Sequence, residues 1–327
     1  MYSSIANVDI LEDELNKIDR HLLAILLQDK TTKTNIIWAT DDYSHYGYNF
    51  SHSYQIMPEQ VSQDFSNLIQ PRICKAVSKQ SDRTKNKAEV FTPSWVCNMQ
   101  NNLVDASWFG YENVFNTPSD KDWVVTKKIE FPKNKCWQRY VDAQRLEISC
   151  GEAPYLVSRY DTVSGKSIEL KKTIGLLDRK LRVVNENIKK KQTEEWIKWA
   201  IRAVQSVYGY EFQGDNLLLA RENVLFTFID YYEDRFGNDP DIGLLKKVAN
   251  IISWNLFQMD GLTLKVPFPD FNVRNHDSDT DLFDVHDSLK KVVDQSTAKN
   301  GINYYCRVFD WRTNESIEFR TLLKNSR

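Results

Sequence analysis

The stretch Arg145–Asp161, RLEISCGEAPYLVSRYD, carries the residues best suited to hold a ligand. It reads as a short strand, an abrupt small-residue turn around Cys150 and Gly151, and an apolar segment able to start a helix. Strand, tight turn and helix together bring backbone N–H groups and a helix N-terminus close to a bound group. Asp161, Glu169 and Lys171 form a D…E-x-K arrangement in which two carboxylates could hold Mg²⁺ and the lysine could orient a water, as in a nuclease. The same residues also read as a solvated hairpin over Lys166–Lys172. The run His276–Asp287, HDSDTDLFDVHD, is rich in metal-ligating types but fails as a calcium loop: Leu282 stands where glycine is needed and Ser288 where a bidentate Glu belongs. It reads as an acidic loop. Lys75, Lys79, Arg83, Lys85 and Lys87 form a basic run, either a solvated linker or an arm that neutralises DNA phosphates without reading sequence.

These residues sit in a 327-residue chain that is 41% hydrophobic and 27% charged, the composition of a folded protein with ample core. The net charge of −2 announces no global affinity for nucleic acid, so any such surface is a local patch. Five scattered cysteines, none in a C-x-x-C pair, point to a reducing cytoplasm and away from disulfides or a thiolate zinc site. No secretory signal, membrane-spanning run or G-x-x-x-x-G-K-[ST] sequence is visible, which predicts a cytoplasmic protein without membrane or P-loop ATPase function.

Apolar residues from Ile10 to Leu26 recur at helical spacing, and Asn35–Thr40 reads as a strand leading into a Tyr/Ser/His-rich stretch. Those aromatics could stack on bases or cover a small core. In Ala88–Leu103, Phe91-Thr92-Pro93 opens a helix, with Pro93 in the first turn and Thr92 as its cap. Trp137–Ala143 should form a short helix. Val207–Glu211 is a strand ending in an acid, followed by a helix from Asn216, and Leu245–Leu262 is a helix or strand ending in Met259-Asp260-Gly261-Leu262.

The FTP turn resembles the first cofactor-binding motif of adenine-N6 DNA methyltransferases, and the later runs follow the same family order. Glu147-Ile148-Ser149-Cys150-Gly151-Glu152-Ala153 resembles the family's D-P-x-C-G-x-G turn, with Glu147 for the Asp and Ala153 for the last Gly. Tyr208-Gly209-Tyr210-Glu211 with Ala220-Arg221-Glu222-Asn223 resembles its GxE…ARxN pattern, and Met259-Asp260-Gly261-Leu262 its GD-x-L turn. The resemblance spans about 88–262. It implies S-adenosylmethionine as cofactor, bound by Phe91, Thr92 and Pro93 of the FTP turn, with Thr92, Glu147, Cys150 and Gly151 at the methionine end, Glu211 at the ribose and Asp260 at the adenine. It also implies DNA as substrate, and a partner subunit or a homo-oligomer.

The family's catalytic Asn/Asp-Pro-Pro-Tyr tetrapeptide is absent. Asp310 and Trp311, after Asn303–Phe309, could serve as a divergent acceptor and stacking face for a flipped base. Equally, FDWRTNESIEF could be a β-hairpin turning at Asn314-Glu315. The expected fold is α/β, with a small mixed N-terminal domain and basic linker over 1–85 and a Rossmann-like methyltransferase domain over 86–327, carrying an insertion over 162–205. The expected function is DNA adenine-N6 methylation within a restriction–modification or phage-defence system. The alternatives are a degenerate methyltransferase-fold subunit for DNA binding or assembly, and the Asp161/Glu169/Lys171 nuclease.

Overall fold

The computed structural model describes residues 12–75, 92–268 and 304–324. In chain order its elements are α1 (Glu12–Ile18), α2 (Arg20–Leu27), α3 (Ser94–Phe109), β1 (Asn116–Ser119), β2 (Asp122–Val125), α4 (Trp137–Asp142) and β3 (Arg145–Ile148). There follow α5 (Leu176–Asn187), α6 (Thr193–Gln205), β4 (Val207–Glu211), α7 (Gly214–Phe236), α8 (Ile242–Asn255), β5 (Leu256–Gln258), β6 (Arg307–Asp310), β7 (Glu315–Glu318) and α9 (Phe319–Lys324). The fold is α/β. Its central sheet has the order β3-β4-β5 with both pairs parallel, in the register Arg145↔Val207 and Glu211↔Gln258. Parallel neighbours need crossover connections, which α5 with α6, and α7 with α8, provide. β1 with β2 and β6 with β7 form two separate antiparallel hairpins.

Helix α7 is the hub, buried at every position from Gly214 to Tyr232. Its polar residues therefore need partners inside the protein. Arg221 donates to the carbonyls of Leu256, Ser253, Leu26 and Gln28, tying the ends of α2 and α8 to the start of β5. Asn223 donates to Glu152 O and Tyr160 Oη, and Asp230 accepts from Arg159 Nε at 2.9 Å. Lys180 of α5 is buried too, and donates to Val141 O, Ala143 O and Ser206 Oγ, where α4 and α6 end and the strands begin. Burial pushes its pKa well below the ordinary lysine range.

The described N-terminal residues share one hydrophobic cluster with α7 and α8. Asp19 breaks the first helical run and caps α2 by accepting from His21 N at 2.7 Å. Leu22, Leu23, Leu26 and Leu27 of α2 are buried in the same hydrophobic cluster as Leu217–Leu225 of α7 and Leu245–Ile252 of α8, each contributing about 1.5–3 kcal/mol by leaving water. Asn35–Thr40, expected as a strand, makes only the isolated bridges Gln28↔Asn35 and Ile37↔Gln55. Its place beside β5 is set by a side chain instead. Gln258 Oε1 accepts from Ile37 N, and Gln258 Nε2 donates to Ile37 O, both at 2.8 Å. The amide thus imitates a strand partner. The expected boundary at 85/86 falls outside the described residues. Among the described residues, no helix is long and apolar enough to cross a membrane.

Candidate functional site

The carboxyl ends of β3, β4 and β5 gather most of the residues singled out from sequence. After β3 the chain turns through Gly151 and Ala153, both left-handed at φ 51° and 64°. Gly151 has free space around it, so its requirement is conformational; Gly151→Ala should cost about 1–2 kcal/mol, measured by urea unfolding. Ala153 accepts the same strain where the resembling motif has glycine. The turn lies directly on β4: Cys150 N donates to Tyr210 O at 2.8 Å, and a Cβ on Gly209 would stand 2.9 Å from Cys150 Cβ. Gly209 is what lets the turn seat.

Glu211, at the end of β4, is 6% exposed and closes this turn. Its Oε2 accepts from Ser149 Oγ at 2.6 Å and Gly151 N at 2.9 Å, and its Oε1 accepts from Phe212 N at 3.0 Å and Gln213 N at 3.2 Å. Burial raises its pKa against the pull of these donors. Glu147 is buried on the same side of the sheet, its oxygens accepting from Tyr155 N at 3.3 Å and Leu156 N at 3.2 Å. Desolvation, with a smaller push from Glu211, carries its pKa well above the usual carboxylate range. Glu147 therefore organises the segment after the turn.

Asp260, beyond β5, accepts from Leu262 N at 2.8 Å and shapes the turn there. Tyr210 links the three strand ends. A Cβ on Gly261 would lie 2.9 Å from its hydroxyl, and burial first, then the charges of Glu211, Cys150 and Asp260, raise its pKa. Thr92 and Pro93 stand at the start of α3, with Thr92 against Tyr155 of the segment after the turn. Pro93 is the N-cap position itself and Thr92 does not cap the helix; Asp161 Oδ2 accepts from Ser94 N at 2.7 Å in that role. Thr92 O accepts from Thr162 Oγ1 and Cys97 Sγ. Phe91 lies outside the described residues, as do Lys79–Lys87 and His276–Asp287.

Asp310 and Trp311 are not brought to this site. They stand in the turn of the β6–β7 hairpin, where Asp310 Oδ1 accepts from Arg312 N at 2.9 Å and Asn314 adopts φ 60°. Trp311 Nε1 donates to Asn255 Oδ1 at 2.7 Å, and the Asn255 amide donates to Val204 O and Val207 O. That is where β4 and β5 begin, the end of the sheet opposite Glu211. Asp310 and Trp311, expected in the target-base pocket, thus stand about a strand's length from Glu211.

Of the residues in the nuclease alternative, Asp161 serves local structure: it caps α3 and, in its own turn, accepts from Ser164 N at 2.7 Å. Glu169 and Lys171 line an open groove of about 500 Å³ with Lys172, Arg182 and Glu186. Among the described residues, no group of three or more His, Cys, Asp or Glu is placed to hold a metal. Sequence reasoning missed Ser149 and Gly209 as parts of the site. A glycine inside an otherwise good strand pattern is the signal that could have found the second. No family model, curated protein or solved structure matches the chain.

Proposed function

We propose that this chain forms the S-adenosylmethionine-binding core of a DNA adenine-N6 methyltransferase, a modification subunit of a restriction–modification or phage-defence system. The observation that carries this reading is the turn Ser149–Ala153 seated on Gly209, closed by the acid Glu211 at the carboxyl end of a parallel sheet. Ligands of open parallel sheets bind at that end. The neighbour order β3-β4-β5, with Glu147, Glu211 and Asp260 following one another across the strand ends, agrees with one half of a Rossmann-like methyltransferase sheet. In this reading the backbone of Cys150 and Gly151 approaches the methionine moiety and Glu147 holds the turn in shape. Glu211 accepts from the ribose, and Asp260 lies toward the adenine. The bound cofactor would supply an electrophilic methyl group; the protein's part is to hold it and align an incoming amine.

A second reading is favoured by one observation. Asp310 and Trp311 stand at the opposite end of the sheet, so this pair does not polarise and stack a target adenine beside Glu211. A chain that binds the cofactor and DNA and acts in assembly with a partner is consistent with that.

Calorimetric titration with S-adenosylmethionine tests the first claim. Glu211→Gln should weaken binding about 10- to 100-fold, the loss of charge-assisted hydrogen bonds of about 1.5–3 kcal/mol. An unchanged affinity removes Glu211 from the site. Transfer of labelled methyl groups to DNA separates the two readings: binding without transfer favours the assembly subunit.

A further inference from the structure

Glu211 has no open acceptor position. A carboxylate offers about four lone-pair sites, and four donors fill them: Phe212 N and Gln213 N on Oε1, Gly151 N and Ser149 Oγ on Oε2. Three of these are backbone N–H groups, fixed by the strand end and by the left-handed turn. They leave only if that backbone unwinds. The fourth is a hydroxyl on a single rotatable bond. Ser149 is exposed, whereas Glu211 beneath it is buried. The hydroxyl therefore stands between the acid and solvent, at 2.6 Å, a length typical of an O–H donor on an ionised carboxylate.

Resting on the cofactor reading above, we propose that the Ser149 hydroxyl is a built-in stand-in for a ligand hydroxyl. It satisfies Glu211 in the ligand-free chain and rotates off Oε2 when a vicinal diol, such as the ribose of an adenosyl compound, takes that position. Ser149 is then a residue that sets the affinity for hydroxyl-bearing ligands. It keeps a buried carboxylate from standing unsatisfied, which would be costly, and it makes every diol ligand compete with an intramolecular hydrogen bond. Any hydroxyl ligand, a diol included, exchanges one bond for one at this position, because the three backbone donors stay, and the rest of the ligand must supply the net gain.

The test is calorimetry with S-adenosylhomocysteine, adenosine and 2′-deoxyadenosine on the wild type, Ser149→Ala and Ser149→Cys, with thermal unfolding of each ligand-free protein. Ser149→Ala should bind S-adenosylhomocysteine and adenosine about three- to tenfold more tightly, the competition of one hydrogen bond removed. Its ligand-free Tm should fall, because Glu211 loses a donor. Ser149→Cys, of similar size and a weaker donor, should shift both quantities the same way by less, and it serves if the alanine variant folds poorly. The gain should be similar for 2′-deoxyadenosine, whose remaining ribose hydroxyl can take the one vacated position. Stability and affinity moving in opposite directions is the signature; a purely structural serine would lower both. Equal or weaker binding of S-adenosylhomocysteine by both variants overturns the stand-in and leaves the cofactor reading standing. No binding of any adenosyl compound by the wild type or the variants overturns both.

Discussion

Asp105→Ala is expected to destabilise the protein by about 3–5 kcal/mol, the usual consequence of removing one partner from a buried ion pair. Asp105 on α3 and Arg179 on α5 are each 1% exposed and are joined through Oδ2 and Nη1. Asp105 also accepts from Tyr140 Oη at 2.8 Å, and that phenol is held well above its ordinary pKa by burial and then by the carboxylate. Arg179 reaches on to Asn98 Oδ1 at 2.7 Å, and Asn98 exchanges amide hydrogen bonds with Asn116 at 2.8 Å in both directions. Truncating Asp105 leaves a guanidinium without a counter-charge in a place water does not reach. Urea unfolding of the variant measures the loss. A value under about 1 kcal/mol would mean the guanidinium finds water or another partner. Arg179→Met together with Asp105→Leu should recover much of it, since the pair's attraction does little more than offset its own desolvation.

Gly214→Ala should cost at least about 3 kcal/mol, at the upper end of overpacking penalties. A Cβ there would stand 2.0 Å from Ile37 O and 2.9 Å from Ile56 Cδ1. The carbonyl cannot step aside, because Gln258 pins Ile37 on both its N–H and its oxygen, and Gly214 N itself donates to Trp38 O at 3.0 Å. The expected result is a lowered unfolding midpoint, with proteolytic nicking near residues 36–38 appearing before global unfolding. A midpoint within experimental error of wild type would show that the strap over α7 yields easily. Because Gly214 opens the helix immediately after Glu211, the same variant should also loosen the strand end that carries this acid.

Several individual elements were legible, for a local reason. Val207–Glu211, Trp137–Asp142 and the hairpin turning before Glu315 announce themselves through alternation, periodicity and turn chemistry, which are properties of neighbouring residues. The acids at the strand ends were legible as acids but not as to what they hold. Glu147 looked free to meet a ligand, and instead caps backbone N–H groups eight and nine positions later. Thr92 looked like the cap of α3, yet the cap is Asp161, 67 positions from Ser94. Asn35–Thr40 reads as a strand because Ile36, Ile37 and Trp38 are apolar and bulky, but it pairs only through isolated bridges to neighbouring backbone, and what ties it to β5 is one glutamine side chain. A pattern reports what a residue prefers. It does not report which distant group arrives first to satisfy it.

That glutamine has a consequence for how the chain is made. Ile37 and Gln258 are separated by 221 positions, and Ile25 accepts from Ser253 Oγ across 228. At a synthesis rate of about 5–20 residues per second, the N-terminal helices wait roughly 10–45 s for the elements that bury them. Through that interval Leu22, Leu23, Leu26 and Leu27 have no α8 to rest on, and the nascent segment presents an apolar stripe to whatever meets it at the ribosome. Helix α2 is thus secured only long after it is translated, and a chaperone that shields short leucine-rich helices would act on it during synthesis.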